Sequence, residues 1–138
     1  MLLHRNKVRV CGLAVAVLGL AGAAFAHHSQ SQYDTTKKIA IEGTLQEISW
    51  SNPHTLFYIL AKPTDDAAAK VQRWIVEGPG PRGLTGAGWE KENTKVGDKV
   101  IMYGAPRKDG QPQLLIQGIS LPDGRKLSFR NDPTGGAK

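Results

Sequence analysis

Histidines 27, 28 and 54 are the residues best equipped for chemistry in this chain, and two of them stand side by side directly after Ala24-Phe25-Ala26. A small-x-small triplet of that kind is where a signal peptidase cuts. Cleavage after Ala26 leaves His27 with a free amine, and a terminal histidine offers that amine and its ring Nδ1 to one metal ion as a chelate. A third imidazole completes a T-shaped set of three nitrogens, which suits Cu(II). His54 is the candidate for that place, so His27, His28 and His54 make up the candidate metal site. If Ala26 is retained instead, Ala26-His27-His28 is an amino-terminal Cu(II)/Ni(II) motif that uses the amine, two backbone nitrogens and one imidazole. Amine and imidazole must both lose a proton to bind, so affinity would rise with pH through their titrations. The plainer alternative is a polar exit segment at His27-His28 and a turn-capping His54.

Other chemistries are poorly supported by the residues. Gly78-Pro79-Gly80-Pro81 cannot cradle a phosphate, because its prolines remove the amides that would do so. Ser49 and Ser51 lie close to His54, yet no Gly-x-Ser-x-Gly turn frames either of them. Glu42, Glu47 and Glu77 fall on expected strands and can face either one barrel mouth or solvent. Glu77 comes at the end of its strand, just before the Gly-Pro break, and is the candidate contact on the rim of His54. No catalytic constellation emerges, so the expectation is a non-enzyme whose one candidate cofactor is copper.

These residues need a compartment and a scaffold. Residues 1–9 carry His4, Arg5, Lys7 and Arg9 with no acid, and Val10 to Ala24 is an almost unbroken apolar run. With the cleavage triplet this reads as a signal peptide over residues 1–26. The run is shorter than the ~20 apolar residues of a spanning helix, so no membrane span is expected after cleavage. The single cysteine, Cys11, lies inside that leader, and the mature chain is expected in the periplasm with no disulfide and no thiolate ligand. Three of the 18 Lys+Arg leave with the leader and none of the 12 acids do, so the mature 112 residues carry +3. Lys37-Lys38, Arg107-Lys108 and Arg125-Lys126 are scattered pairs beside turns, which reads as solvated loop charge rather than a phosphate track. Nucleic acid is therefore not an expected partner.

Residues 27–38 form a polar lead-in, residues 39–130 a single domain, and residues 131–138 a polar, glycine-rich tail. Within the domain, short strands alternate with turn residues. Ile39, Ile41, Gly43 and Leu45 share one face, after which the phase slips so that Ile48 and Trp50 continue it. A slip inside one strand predicts a bulge. Asn52-Pro53 ends this strand. Further strands are expected at 55–61, 71–77, 99–105, 113–121 and 126–129, with hairpin chemistry at Lys108-Asp109-Gly110 and Pro122-Asp123-Gly124. Pro81 suits a first helical position, but Gly83, Gly86 and Gly88 predict that the helix after it is short and poorly formed.

Three strands, a short helix and two or three more strands is the order of an OB-fold, so the expected class is mostly β, a small five- to six-stranded OB-like barrel. A bent first strand shared by both halves of the sheet is what such closure requires. The alternative, a β-sandwich, wants about seven strands. Trp50, Trp74, Trp89, Phe57 and Tyr58 are expected as core and end-plugs rather than as a ligand platform.

A resemblance accompanies this reading. His27-His28-Ser29, Glu42-Gly43-Thr44, Trp50-Ser51-Asn52-Pro53-His54, Trp74 with Glu77-Gly78, Gly88-Trp89, Val96-Gly97-Asp98-Lys99-Val100, Lys108-Asp109-Gly110 and Leu121-Pro122-Asp123-Gly124-Arg125-Lys126-Leu127 are similar to the pattern of a family of small exported bacterial proteins catalogued as a domain of unknown function. The resemblance implies a periplasmic address and a small barrel, and no assigned activity. The glycine-rich stretch from Gly83 to Gly88 and Gln30 after the His-His-Ser depart from that pattern. Two readings follow. One is an exported module that binds an unknown ligand, with copper at the mature amino terminus as the candidate. The other is a metal-free envelope module that docks a protein or polysaccharide through its barrel face.

Overall fold

Burial alternates along the second strand as a half-buried strand requires: Thr55, Phe57, Ile59 and Ala61 are buried while Leu56, Tyr58 and Leu60 face outward. A computed structural model describes residues 30–129; alternation gives way where a strand is covered on both faces, as from Leu114 to Ile119, and six strands are present. In chain order they are β1 (Ile39–Ser49), β2 (His54–Pro63), β3 (Gln72–Pro79), β4 (Lys99–Pro106), β5 (Gln113–Ser120) and a short β6 (Lys126–Ser128). One helix, α1 (Pro81–Gly86), and a single 3-10 turn (Lys91–Asn93) lie between β3 and β4. The signal-peptide reading, His27, His28 and the tail from residue 130 lie outside the described residues. From Tyr33 the described chain is one structural unit; Gln30 to Gln32 belong to a separate preceding unit and close in a turn. Among the described residues no helix is long and apolar enough to cross a membrane.

Pairing closes five strands into a ring. β1 pairs antiparallel with both β2 and β4, β2 with β3, and β4 with β5. A parallel contact of Ile75, Val76 and Glu77 with Gln113, Leu114 and Leu115 joins β3 to β5 and completes the barrel, while β6 extends β5. The order β1-β2-β3-β5-β4, with its helix between β3 and β4, is an OB-type barrel with one extra strand. β1 serves two partners because it bends. Ile39 to Thr44 face β4, Ile41 to Ser49 face β2, and the register shifts between Leu45 and Glu47. Gly43 lies in the doubly paired half, where a Cβ would stand 2.0 Å from the Leu60 carbonyl oxygen.

The lumen is filled by side chains. Trp89 is fully buried, stacks on Phe57 at 4.6 Å between centroids, and meets Trp50 edge-on at 6.2 Å. Its indole Nε1 donates to Thr94 Oγ1 at 3.2 Å. α1 exists chiefly to deliver this plug: Leu84 is its buried residue, and Gly88, at φ +87°, reverses the chain so that Trp89 drops into the barrel end. Trp74 is also buried, whereas Tyr58 lies on the outer face under the Arg73 guanidinium.

The turns are held by local charge. Asp109 accepts from Arg107 and Asp123 from Arg125, while Asp34 accepts from Thr36 and pairs with Lys37. Thr36 chiefly depresses the Asp34 carboxyl, the Arg107 side chain that of Asp109, and the Arg125 amide that of Asp123. Because the folded pKa values lie below the unfolded ones, this stabilisation is present above the ordinary carboxylate range and lost as pH falls through the depressed values. Carboxyl-carbon NMR titration should find all three below the ordinary 3.8. Gly43→Ala forces two strands apart and should cost about 3 kcal/mol in urea unfolding, the upper end of the range for overpacking.

A carboxylate–imidazole pair at the barrel rim

His54 opens β2 directly after the cis Asn52–Pro53 bond, with Pro79 of β3 as its cross-strand partner. Glu77 lies two residues further back on β3, opposite Leu56. His54 and Glu77 are thus diagonal neighbours on the outer face, a spacing that long side chains bridge. Glu77 Oε1 pairs with His54 Nδ1. The carboxylate sits at the β3–β5 seam opposite Leu115, and Glu77 is only 8 % exposed.

A buried carboxylate needs partners for both oxygens. The second is supplied by Tyr33, whose hydroxyl donates to Glu77 Oε2 at 3.0 Å. Tyr33 is itself buried against Ala105 and Leu115, and it pairs as an isolated bridge with Arg107 while the Asp34 amide donates to the Pro106 carbonyl at 2.8 Å. Tyr33, Glu77 and His54 therefore form one chain of contacts that runs from the lead-in, across the seam, to the rim. Ser51 Oγ donates to the His54 carbonyl at 3.0 Å and ties the β1–β2 loop to the same strand start.

Of the three histidines of the candidate metal site, the structure describes His54 alone; His27 and His28 lie outside the described residues. It brings His54 and Glu77 together. Glu42 and Glu47 do not join them: both are exposed, and Glu47 lies 3.6 Å from Arg73. No group of three or more His, Cys, Asp or Glu side chains able to hold a metal occurs among the described residues. Tyr33 is the member that the sequence reading did not single out. Its signal was a lone aromatic inside a polar lead-in, Ser31-Gln32-Tyr33-Asp34-Thr35-Thr36, where a ring has no reason to be unless it packs.

Chemically, a carboxylate on Nδ1 orients an imidazole, leaving Nε2 as the ligating atom. The His54 side chain is 27 % exposed, and its Nε2 makes no hydrogen bond with any described residue. The same pair would be two members of a hydrolytic triad, but Ser51 Oγ is committed to a backbone carbonyl and no described hydroxyl reaches Nε2. The geometry is that of a seated donor.

The fold and this rim define a small OB-like barrel with an oriented surface imidazole. The chain belongs to a family of unknown function, DUF6152, whose model matches residues 14–116. Among solved structures it is similar to the ZRD-deleted mutant of TiaS in complex with agmatine, at 15% identity and a TM-score of 0.44, covering 64% of this chain and 22% of that one. It is also similar to the mitochondrial single-stranded DNA binding protein Rim1 from S. cerevisiae, at 13% identity and a TM-score of 0.45, covering 62% of this chain and 92% of that one. No curated protein matches the sequence. His54→Ala would leave Glu77 Oε1 buried without its partner, and it should lower unfolding free energy by about 1–3 kcal/mol in denaturant titrations.

Proposed function

We propose that this protein is an exported binding module that holds copper through a mature amino-terminal His27 with His28, and that His54 supplies the third nitrogen. The observation that carries the reading is the seating of His54: Glu77 occupies Nδ1, so Nε2 is the atom left to ligate. Export is supported by the basic, apolar and small-x-small sequence of residues 1–26. Three nitrogen donors of this kind favour Cu(II) over harder divalent ions.

The second reading, a metal-free envelope module that docks a protein or polysaccharide, draws on the outer face of β2 and β3. There Leu56, Tyr58, Leu60 and Ile75 lie side by side, with Leu60 41% exposed. Electron paramagnetic resonance with one equivalent of Cu(II) separates the two. Correctly processed protein should give a three-nitrogen signal that a version with one extra amino-terminal residue replaces with the four-nitrogen signal of an amino-terminal Cu(II) motif, and His54→Ala should weaken binding of the processed protein by at least about tenfold. Binding no tighter than that of a short His-His peptide would remove the copper reading and leave the docking face.

A further inference from the structure

Tyr33, Glu77 and His54 cross the weakest joint of the barrel. β3 and β5 meet only where Ile75, Val76 and Glu77 run parallel to Gln113, Leu114 and Leu115, the shortest pairing in the closed ring. Tyr33 lies over this joint. Its ring is buried against Ala105 of β4 and Leu115 of β5, its backbone bridges to Arg107, and its hydroxyl reaches Glu77 of β3. Arg107 in turn donates from Nη1 to Gln113 Oε1 at 3.1 Å, at the first pair of the seam. The Asp34 amide donates to the Pro106 carbonyl at 2.8 Å and the Lys37 amide to the Asp34 carbonyl at 3.1 Å, so residues 33–37 are tied down as a strap. Packing does not require the polar part of this strap. Phenylalanine would fill the place of Tyr33, and an apolar residue in place of Glu77 would avoid burying a charge. What the polar atoms add is a link. The two oxygens of one carboxylate share a rigid plane, so a Glu77 that turns away from Tyr33 also turns away from His54.

We infer that the segment from Tyr33 to Lys37 is a strap that couples its own docking on the β3–β5 seam to the setting of the His54 ring at the rim. Two states follow. With the strap seated, Tyr33 donates to Oε2, Glu77 is held with Oε1 on Nδ1, and the ring keeps one tautomer and one orientation. With the strap lifted, Oε2 loses its donor in a place that water barely reaches, the carboxylate turns toward solvent, and the ring loses its partner. The coupling is reciprocal. Whatever grips the oriented ring tightens the strap, and whatever draws the strap away frees the ring. The device needs no metal and is independent of the copper reading.

NMR on the metal-free protein reads both ends of the link. At about pH 9, above the ordinary imidazole range, long-range proton–nitrogen spectra of wild type should show His54 protonated at Nδ1. Tyr33→Phe keeps the packed ring and removes only the hydroxyl. It should speed exchange of the Asp34 amide about fivefold, the effect of one buried hydrogen bond, and shift His54 toward a mixture of tautomers. His54→Ala, at the far end, should speed Asp34 exchange by about the same factor. Added to Tyr33→Phe, it should change that rate by less than about twofold, because the link is already cut. Thr94→Ala removes the acceptor of the Trp89 indole inside the barrel and controls for general loosening. It should leave both the His54 tautomer and Asp34 exchange as in wild type. A wild-type His54 protonated at Nε2, a His54 spectrum unchanged by Tyr33→Phe, independent effects of the two substitutions on Asp34 exchange, or an equal response to Thr94→Ala each overturn the coupling.

Discussion

Barrel closure depends on one strand serving two neighbours. β1 pairs with β4 through its first half and with β2 along most of its length, which is possible only because the register slips between Leu45 and Glu47 and because Gly43 presents no side chain to the backbone of Leu60. A straight β1 would leave β4 and β5 without a route back to β3. The seam between β3 and β5 would then not form, and with it would go the position of Glu77 against Leu115. The rim site is therefore a product of closure rather than a feature of one hairpin: His54 belongs to β2, Glu77 to β3 and the seam, and Tyr33 to the segment that pairs beside β4.

Energetically, the site runs against the rest of the domain. The core is apolar and aromatic, built on the stack of Trp89 and Phe57 with Trp50 at its edge. Against it, a carboxylate 8 % exposed is held by one phenol and one imidazole. Removing either partner leaves an acceptor oxygen that water barely reaches, so each of the three residues depends on the other two. A protein selected for stability alone has little use for that arrangement.

Much of this was legible in the sequence, for identifiable reasons. The bulge showed itself as a break in apolar alternation between Leu45 and Ile48, and the strand order followed from turn residues spaced along a chain too short for a second sheet. The helix is short as its glycines suggest, and it persists because Leu84 and Trp89 anchor it from below. Strand ends were less visible. β3 runs through Gly78 to Pro79 because Pro79 lies at the last pair of the ladder, opposite His54, and β2 starts one residue earlier than its apolar run for the same reason. Tyr33 was hidden because its burial depends on Ala105 and Leu115, residues more than seventy positions away along the chain, whose approach no local pattern encodes.

The aromatic plug carries a consequence for traffic. With Trp89, Phe57 and Trp50 occupying the interior, the barrel has no lumen to act as a container, and the polar group it exposes sits on the outside edge. Any group that meets such an edge does so from outside, so contact with the His54 ring does not require the strands to part.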